Sequence, residues 1–156
     1  MLLLVLVFLY LLGSILYDRY HTRTIRYYRG ITVYIPLFSV IFFIFSIFNS
    51  AIPLSGNWTG EIICLIGIFQ INPIAAIISS FGIILSAAYS IWLYNRIAFG
   101  SYSIYLYSPK KAGGDINRLE FIILIPLIII TIITGIFPNI ILNSIHSTVS
   151  NLIYTI

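Results

Sequence analysis

Long apolar runs, separated by short polar stretches, dominate this chain. The runs cover residues 2–17, 34–71, 73–97 and 119–137. A helix needs about 20 mainly apolar residues to cross a bilayer, whereas a membrane barrel would alternate polar and apolar positions. The pattern therefore predicts an all-α integral membrane protein with about four transmembrane helices in one membrane domain. Residues 139–156 alternate apolar with polar side chains and are predicted to form an amphipathic tail.

The run over residues 34–71 does not fit a simple crossing. As one straight helix it would be about 57 Å long, nearly twice the thickness of the hydrocarbon core. Two full crossings fail as well, because Trp58–Ile71 gives only about 21 Å of helix. Proline and glycine interrupt helices, and Pro53–Asn57 contains both. The sequence predicts one crossing that is discontinuous at Pro53–Asn57, with these residues at the helix break: Pro53, Gly56 and Gly60.

Glu61 is the only acidic residue in the interior of a long apolar run, since Glu120 lies at the start of one. A carboxylate at membrane depth is costly and marks a functional site, often a proton relay. Broken helices in membranes are tolerated where their freed backbone groups face protein or a water-filled cavity, as in ion-coupled transporters. We therefore predict that Glu61 relays protons and lies in the protein interior. The alternative is a buried, neutral, hydrogen-bonded acid without a function.

The third apolar run carries an intermittent polar stripe. Small and hydroxylated side chains at helical spacing are typical of close helix packing. A water-lined proton path is the more specific interpretation. Its candidate lining residues are Ser86, Tyr89 and Ser90.

Composition supports the membrane assignment and limits the chemistry. Of 156 residues, 60% are hydrophobic and 8% are charged, whereas soluble domains carry about a quarter charged residues. The single cysteine, Cys64, excludes an internal disulfide and is interpreted as a small buried hydrophobe. His21 has no partner at metal-ligand spacing, and His146 is interpreted as an interfacial polar group rather than a ligand. Because no phosphate loop, cysteine cluster or HExxH motif is found, we predict no catalytic, cofactor-binding or metal residues in this chain.

The eight basic residues lie in two stretches, residues 18–30 and 96–118. Aromatic residues interleave with the first group, which could indicate nucleic-acid binding. Beside a membrane span, however, the pattern favours a loop on the positive side with an aromatic belt. If residues 34–71 cross the membrane once, both basic stretches lie on the same side of the membrane. If they cross it twice, the two stretches lie on opposite sides. The positive-inside rule therefore favours four crossings.

Several motifs resemble the antiporter-like membrane subunits of respiratory NADH:ubiquinone oxidoreductase (complex I), subunit 4 in particular. The similar segments are Tyr17–Arg23, Gly56–Glu61, Tyr89–Arg96 and Gly135–Pro138. A glutamate rather than a lysine at position 61 points to subunit 4. The resemblance runs from about Leu11 to Val149 and matches only the last four helices of a longer subunit.

The resemblance implies a proton-pumping subunit of the mitochondrial inner membrane, with its basic loops on the matrix side. Glu61 would be the ionisable residue on the second broken helix, and NADH, FMN, iron–sulfur clusters and ubiquinone would belong to other subunits. The implied partners are a separate chain with the N-terminal part of the subunit, other membrane-arm subunits and lipids. Nucleic acid is not among them. Two alternatives are a fragment of a multisubunit cation/proton antiporter and a membrane scaffold without proton transfer.

Overall fold

The computed structural model describes the backbone of residues 2–101 and 114–154, and the side chains of residues 11–101, 114–146 and 149–151. This part of the chain contains six α-helices and no strand. Two short 3₁₀ helices, Ile25–Tyr27 and Ile31–Val33, lie between the first two α-helices. In order, the α-helices are α1 Leu2–Tyr20, α2 Pro36–Asn49, α3 Gly56–Ile71, α4 Pro73–Ala98, α5 Arg118–Ile136 and α6 Asn139–Tyr154.

Local chemistry explains where the helices begin. Proline is favourable at a first helical position, and α2 and α4 both begin with it, at Pro36 and Pro73. The Asn72 side chain accepts hydrogen bonds from the N–H groups of Ile74 and Ala75, the second and third residues of α4. Asn117 and Glu120 form a capping box at the start of α5. Because Asn72 alone separates α3 from α4, these two helices form a tight hairpin.

The helical membrane architecture predicted from the sequence is confirmed. Within the described residues, α4 (26 residues) and α5 (19 residues) are long and apolar enough to cross a bilayer, and α2 is a shorter apolar helix. Helix α1 extends to Tyr20, past the predicted end at Tyr17. The predicted tail forms the helix α6. The count of four crossings stays a prediction.

The hydrophobic core is concentrated around α2. This helix packs against α1 and α4, while α3 packs against α4 and α5. Phe38 and Phe45 of α2 and Leu12 of α1 are fully buried, with Leu124 of α5 beside them. By contrast, α3, α4 and α5 carry many exposed large apolar side chains, such as Ile71. Such a surface is stable only against lipid or another protein.

Asp115, which lies just before α5, caps a helix that is distant in the sequence. Its carboxylate accepts hydrogen bonds from the N–H groups of Leu37 (2.7 Å) and Phe38 (3.2 Å) at the start of α2. Arg19 at the end of α1 pairs with Glu120 of α5, with 3.1 Å between nitrogen and oxygen. The ends of three helices are thereby joined at one end of the molecule.

A second set of contacts joins the first basic stretch to the end of α4. The N–H of Gly30 donates to the carbonyl of Phe99 (3.4 Å), and the Thr32 hydroxyl donates to the carbonyl of Ala98 (2.8 Å). Gly30 adopts a φ of 64°, which favours glycine. The described parts of the two basic stretches therefore lie at the same end of the fold. Lys110 and Lys111 lie outside the described residues.

Candidate functional site

The predicted discontinuous helix is built from α2 and α3. Helix α2 ends at Asn49 and α3 begins at Gly56, so residues 50–55 form the interruption. It begins earlier than the predicted segment, and Gly56 and Asn57 are already helical. Gly60 lies a full turn inside α3 and is not at the break. The shift occurs because the side chain of Ser55 caps α3 by accepting the N–H of Trp58, at 3.3 Å.

Two residues in the break have left-handed backbone conformations. Ala51 (φ 53°) and Leu54 (φ 82°) both adopt left-handed conformations that are unfavourable for residues with a side chain. Pro53 lies between them, and a proline disfavours helical geometry in the residue before it. Each left-handed conformation costs about 1–2 kcal/mol, so packing contacts around the break have to stabilise it.

Polar side chains at and beside the break are buried, whereas Ile52, Pro53 and Leu54 within it are exposed in the described chain. The Asn49 amide donates to the Tyr89 hydroxyl of α4 (2.9 Å), and the Asn57 amide donates to the carbonyl of Phe48 (3.3 Å). The second bond ties the beginning of α3 to the end of α2. The same bond gives a partner to a backbone carbonyl at the end of α2, where the helix is interrupted. Four polar side chains are at least nine-tenths buried here: Asn49, Ser50, Ser55 and Asn57.

Gly135 of α5 allows the break to pack against its neighbour. A Cβ atom at this position would lie 2.5 Å from the carbonyl carbon of Leu54 and 2.9 Å from that of Ser55. The two backbones therefore approach more closely than any side chain permits. The sequence analysis noted Gly135 only within a motif and not as a site residue. A glycine inside a very apolar helix was the available signal.

Glu61 lies on the wall of a cavity of about 480 Å³, formed by α3, α4, α5 and the start of α6. Its side chain is half-buried in this chain, although the prediction placed it in the interior. It is the only acidic residue among the described residues that line the cavity. Polar lining residues beside it are Asn57, Thr59, Ser79 and Thr134.

The polar stripe of α4 contributes a serine to the cavity, but not one of the residues predicted to line a proton path. Ser79 lines the cavity, whereas Ser86, Tyr89 and Ser90 do not. Ser86 and Ser90 donate to carbonyl groups of their own helix. Tyr89 instead contacts Asn49 at the break. A role for these three residues in a proton path stays a prediction, and such a path would run outside this cavity.

Cys64 does not match its interpretation as a buried hydrophobe. It is exposed and lies on the cavity wall, one turn after Glu61. The reason is that this side of α3 is not covered by other helices of the described chain.

Membrane-length apolar helices, a helix break flanked by buried polar side chains and a carboxylate shortly after it define a helical membrane protein built around a discontinuous helix. The transmembrane family described as NADH:quinone oxidoreductase/Mrp antiporter matches residues 1–86, more than half of the 156 residues. The chain belongs to this family.

Three relatives share most of this chain, and each carries the name NADH-ubiquinone oxidoreductase chain 4. The protein of Mycosarcoma maydis is 61% identical over 145 residues, which is 93% of this chain. Those of Chondrus crispus and Marchantia polymorpha are 46% and 40% identical, again over 93% of the chain. This chain spans 29% of the length of each relative. The resemblance inferred from the motifs is confirmed.

Proposed function

We propose that this chain is the C-terminal part of an antiporter-like subunit in the membrane arm of respiratory complex I. It contributes to proton translocation coupled to NADH oxidation and ubiquinone reduction, and Glu61 accepts and releases the proton. The observation that carries the proposal is Glu61 itself, an acid on the wall of a cavity and shortly after a helix break. The names of the relatives support the assignment to complex I rather than to a cation/proton antiporter.

The surroundings of Glu61 suit an acid that changes its protonation state. An unpaired carboxylate is costly in an apolar medium, which favours the neutral form. Water that enters the cavity can donate hydrogen bonds to the ionised carboxylate of Glu61, which favours the charged form. These opposing effects make both forms accessible, and the cavity supplies room for water to carry the proton. Electron transfer through FMN, iron–sulfur clusters and ubiquinone is assigned to other subunits.

The Glu61→Gln variant tests the proposal. Glutamine keeps the size and polarity of the side chain but cannot bind and release a proton at physiological pH. We expect the native membrane complex with this variant to assemble and to pump protons more slowly, measured as pH change in sealed vesicles during NADH oxidation. Asp18→Asn is the matched control, because Asp18 is an exposed acid near the end of α1. Equal pumping by Glu61→Gln, Asp18→Asn and wild type would support a scaffold instead.

We also propose that a separate polypeptide carries the remaining helices of the subunit. The exposed apolar faces of α3, α4 and α5 supply surfaces for such a partner and for lipids. Mass spectrometry of the purified native complex tests this proposal. A single intact subunit that contains this sequence would refute the separate chain but leave the role of Glu61 untouched.

The proposed location is the mitochondrial inner membrane, with the basic loops on the matrix side. The joined ends of α1, α2, α4 and α5 support a common side for both loops. We expect a cysteine introduced at Thr22, a half-buried loop residue, to react with impermeant reagents only from the matrix side. Reaction from the opposite side would reject this orientation.

A further inference from the structure

Two buried oxygen atoms of α3 are left without a hydrogen-bond donor. They are Oδ1 of Asn57 and Oε2 of Glu61, and neither is accessible to solvent or paired with any described group. Both are acceptors when glutamate is ionised. A buried acceptor without a donor costs about 1–3 kcal/mol, so two of them in one turn of helix call for an explanation.

The positions of Asn57 and Glu61 in the helix supply an explanation for the two unpaired oxygens. Asn57 and Glu61 are four residues apart in α3, so their side chains emerge on the same face one turn apart. Side chains at this spacing can bond directly to each other. Both residues line the same cavity.

The amide nitrogen of Asn57 fixes the orientation of its side chain. Its amide nitrogen donates to the carbonyl of Phe48 at the end of α2. The nitrogen therefore points to the break, and the oxygen points away from it. Asn57 is 6% exposed, so its side chain has little freedom to turn over.

We propose that Glu61 is protonated on Oε2 in the resting protein and donates this proton to Oδ1 of Asn57. One proton then satisfies both buried oxygens. Asn57 acts as a positioning residue that holds the acid in its neutral form and ties it to the helix break. The inference deepens the proposed function, on which its relevance to pumping rests.

The proton balance of the step is simple. On release, the carboxyl group of Glu61 turns toward the cavity, its O–H bond breaks with the electron pair left on Oε2, and the proton passes to water there. The Asn57 oxygen then faces a carboxylate with no proton between them. Two facing acceptors favour the recapture of a proton by Glu61. The substitution Glu61→Gln keeps a donor toward Asn57, because the glutamine amide carries N–H groups.

Infrared spectroscopy of the resting native complex tests the inference. The spectrum of the Glu61→Gln complex, subtracted from that of wild type, isolates the carboxyl signal of Glu61. We expect the C=O band of a protonated, hydrogen-bonded carboxyl group. In the background of Asn57→Leu, which is close in size but lacks an acceptor, the band should move toward the frequency of an unbonded carboxyl or be replaced by carboxylate bands. Asn95→Leu, at the exposed end of α4, is the matched control and should leave the band in place.

Two results would overturn the inference. One is a wild-type spectrum that shows carboxylate or an unbonded carboxyl group at Glu61, which decides the matter even if Asn57→Leu fails to assemble. The other is a band that Asn57→Leu leaves unchanged. The proposed function is judged separately, by the pumping of Glu61→Gln, so its failure and the failure of this inference are distinguishable.

Discussion

Replacing Gly135 by alanine should displace the helix break and destabilise the protein. The added Cβ would lie 2.5 Å and 2.9 Å from the carbonyl carbons of Leu54 and Ser55, whereas ordinary contacts begin at 3.4 Å. The overlapping atoms belong to the backbone, so no side-chain rotation relieves the contact. Helix α5 and the break must separate by about 1 Å.

Overpacking of this kind costs about 1–3 kcal/mol. If the contact between α5 and the break is lost in the transition state for unfolding, this cost accelerates unfolding by roughly fivefold or more. Separation of α5 from the break also shifts the wall of the Glu61 cavity, and a shift of about 1 Å can strongly reduce proton transfer. We therefore expect both thermal stability and pumping to fall.

The assay compares Gly135→Ala with Gly82→Ala in the native complex. A Cβ at Gly82, inside α4, meets nothing within 4 Å in the described chain. Alanine is favoured over glycine in a helix by about 0.5–1 kcal/mol, so this control should be neutral or slightly stabilising. The half-time of thermal inactivation and the protons pumped per NADH are measured for both. Equal values for the two variants would show that Gly135 does not hold the break against α5.

Substitutions at three further positions test the contacts and backbone geometry that shape the fold. Asp115→Ala removes the cap of α2 and should destabilise the protein by about 0.5–2 kcal/mol, seen as a lower denaturation temperature; an unchanged temperature would mean that the cap is dispensable. Leu54→Val puts a β-branched residue at a φ of 82° and should cost about 1–3 kcal/mol, whereas Leu54→Gly should be tolerated; the reverse order in thermal inactivation would contradict the left-handed geometry. Arg19→Lys keeps the charge but loses the planar fork that contacts Glu120 and the carbonyl of Asp115. It should reduce stability less than Arg19→Ala does, and equal losses would show that charge contributes nothing there.

The sequence determined the structural features that depend on residues close together along the chain. The apolar runs indicated where helices form, and the proline and glycine of Pro53–Asn57 indicated where one is interrupted. Glu61 was identifiable because the cost of a carboxylate in an apolar run depends on composition alone. The boundaries of the break were off by a few residues, since the cap at Ser55 was not recognised from the pattern.

Only the tertiary structure decided which distant residues meet at the site. Gly135 lies against the break, Asp115 caps a helix 78 residues earlier in the chain, and Ser79 rather than Ser86 lines the cavity. These contacts depend on how each helix is rotated and shifted along its neighbours. Rotation and shift are set by the sum of many weak packing contacts across the whole bundle, which no local pattern records. For the same reason, the stripe on α4 was visible in the sequence, while the side chain that reaches the cavity of Glu61 was not.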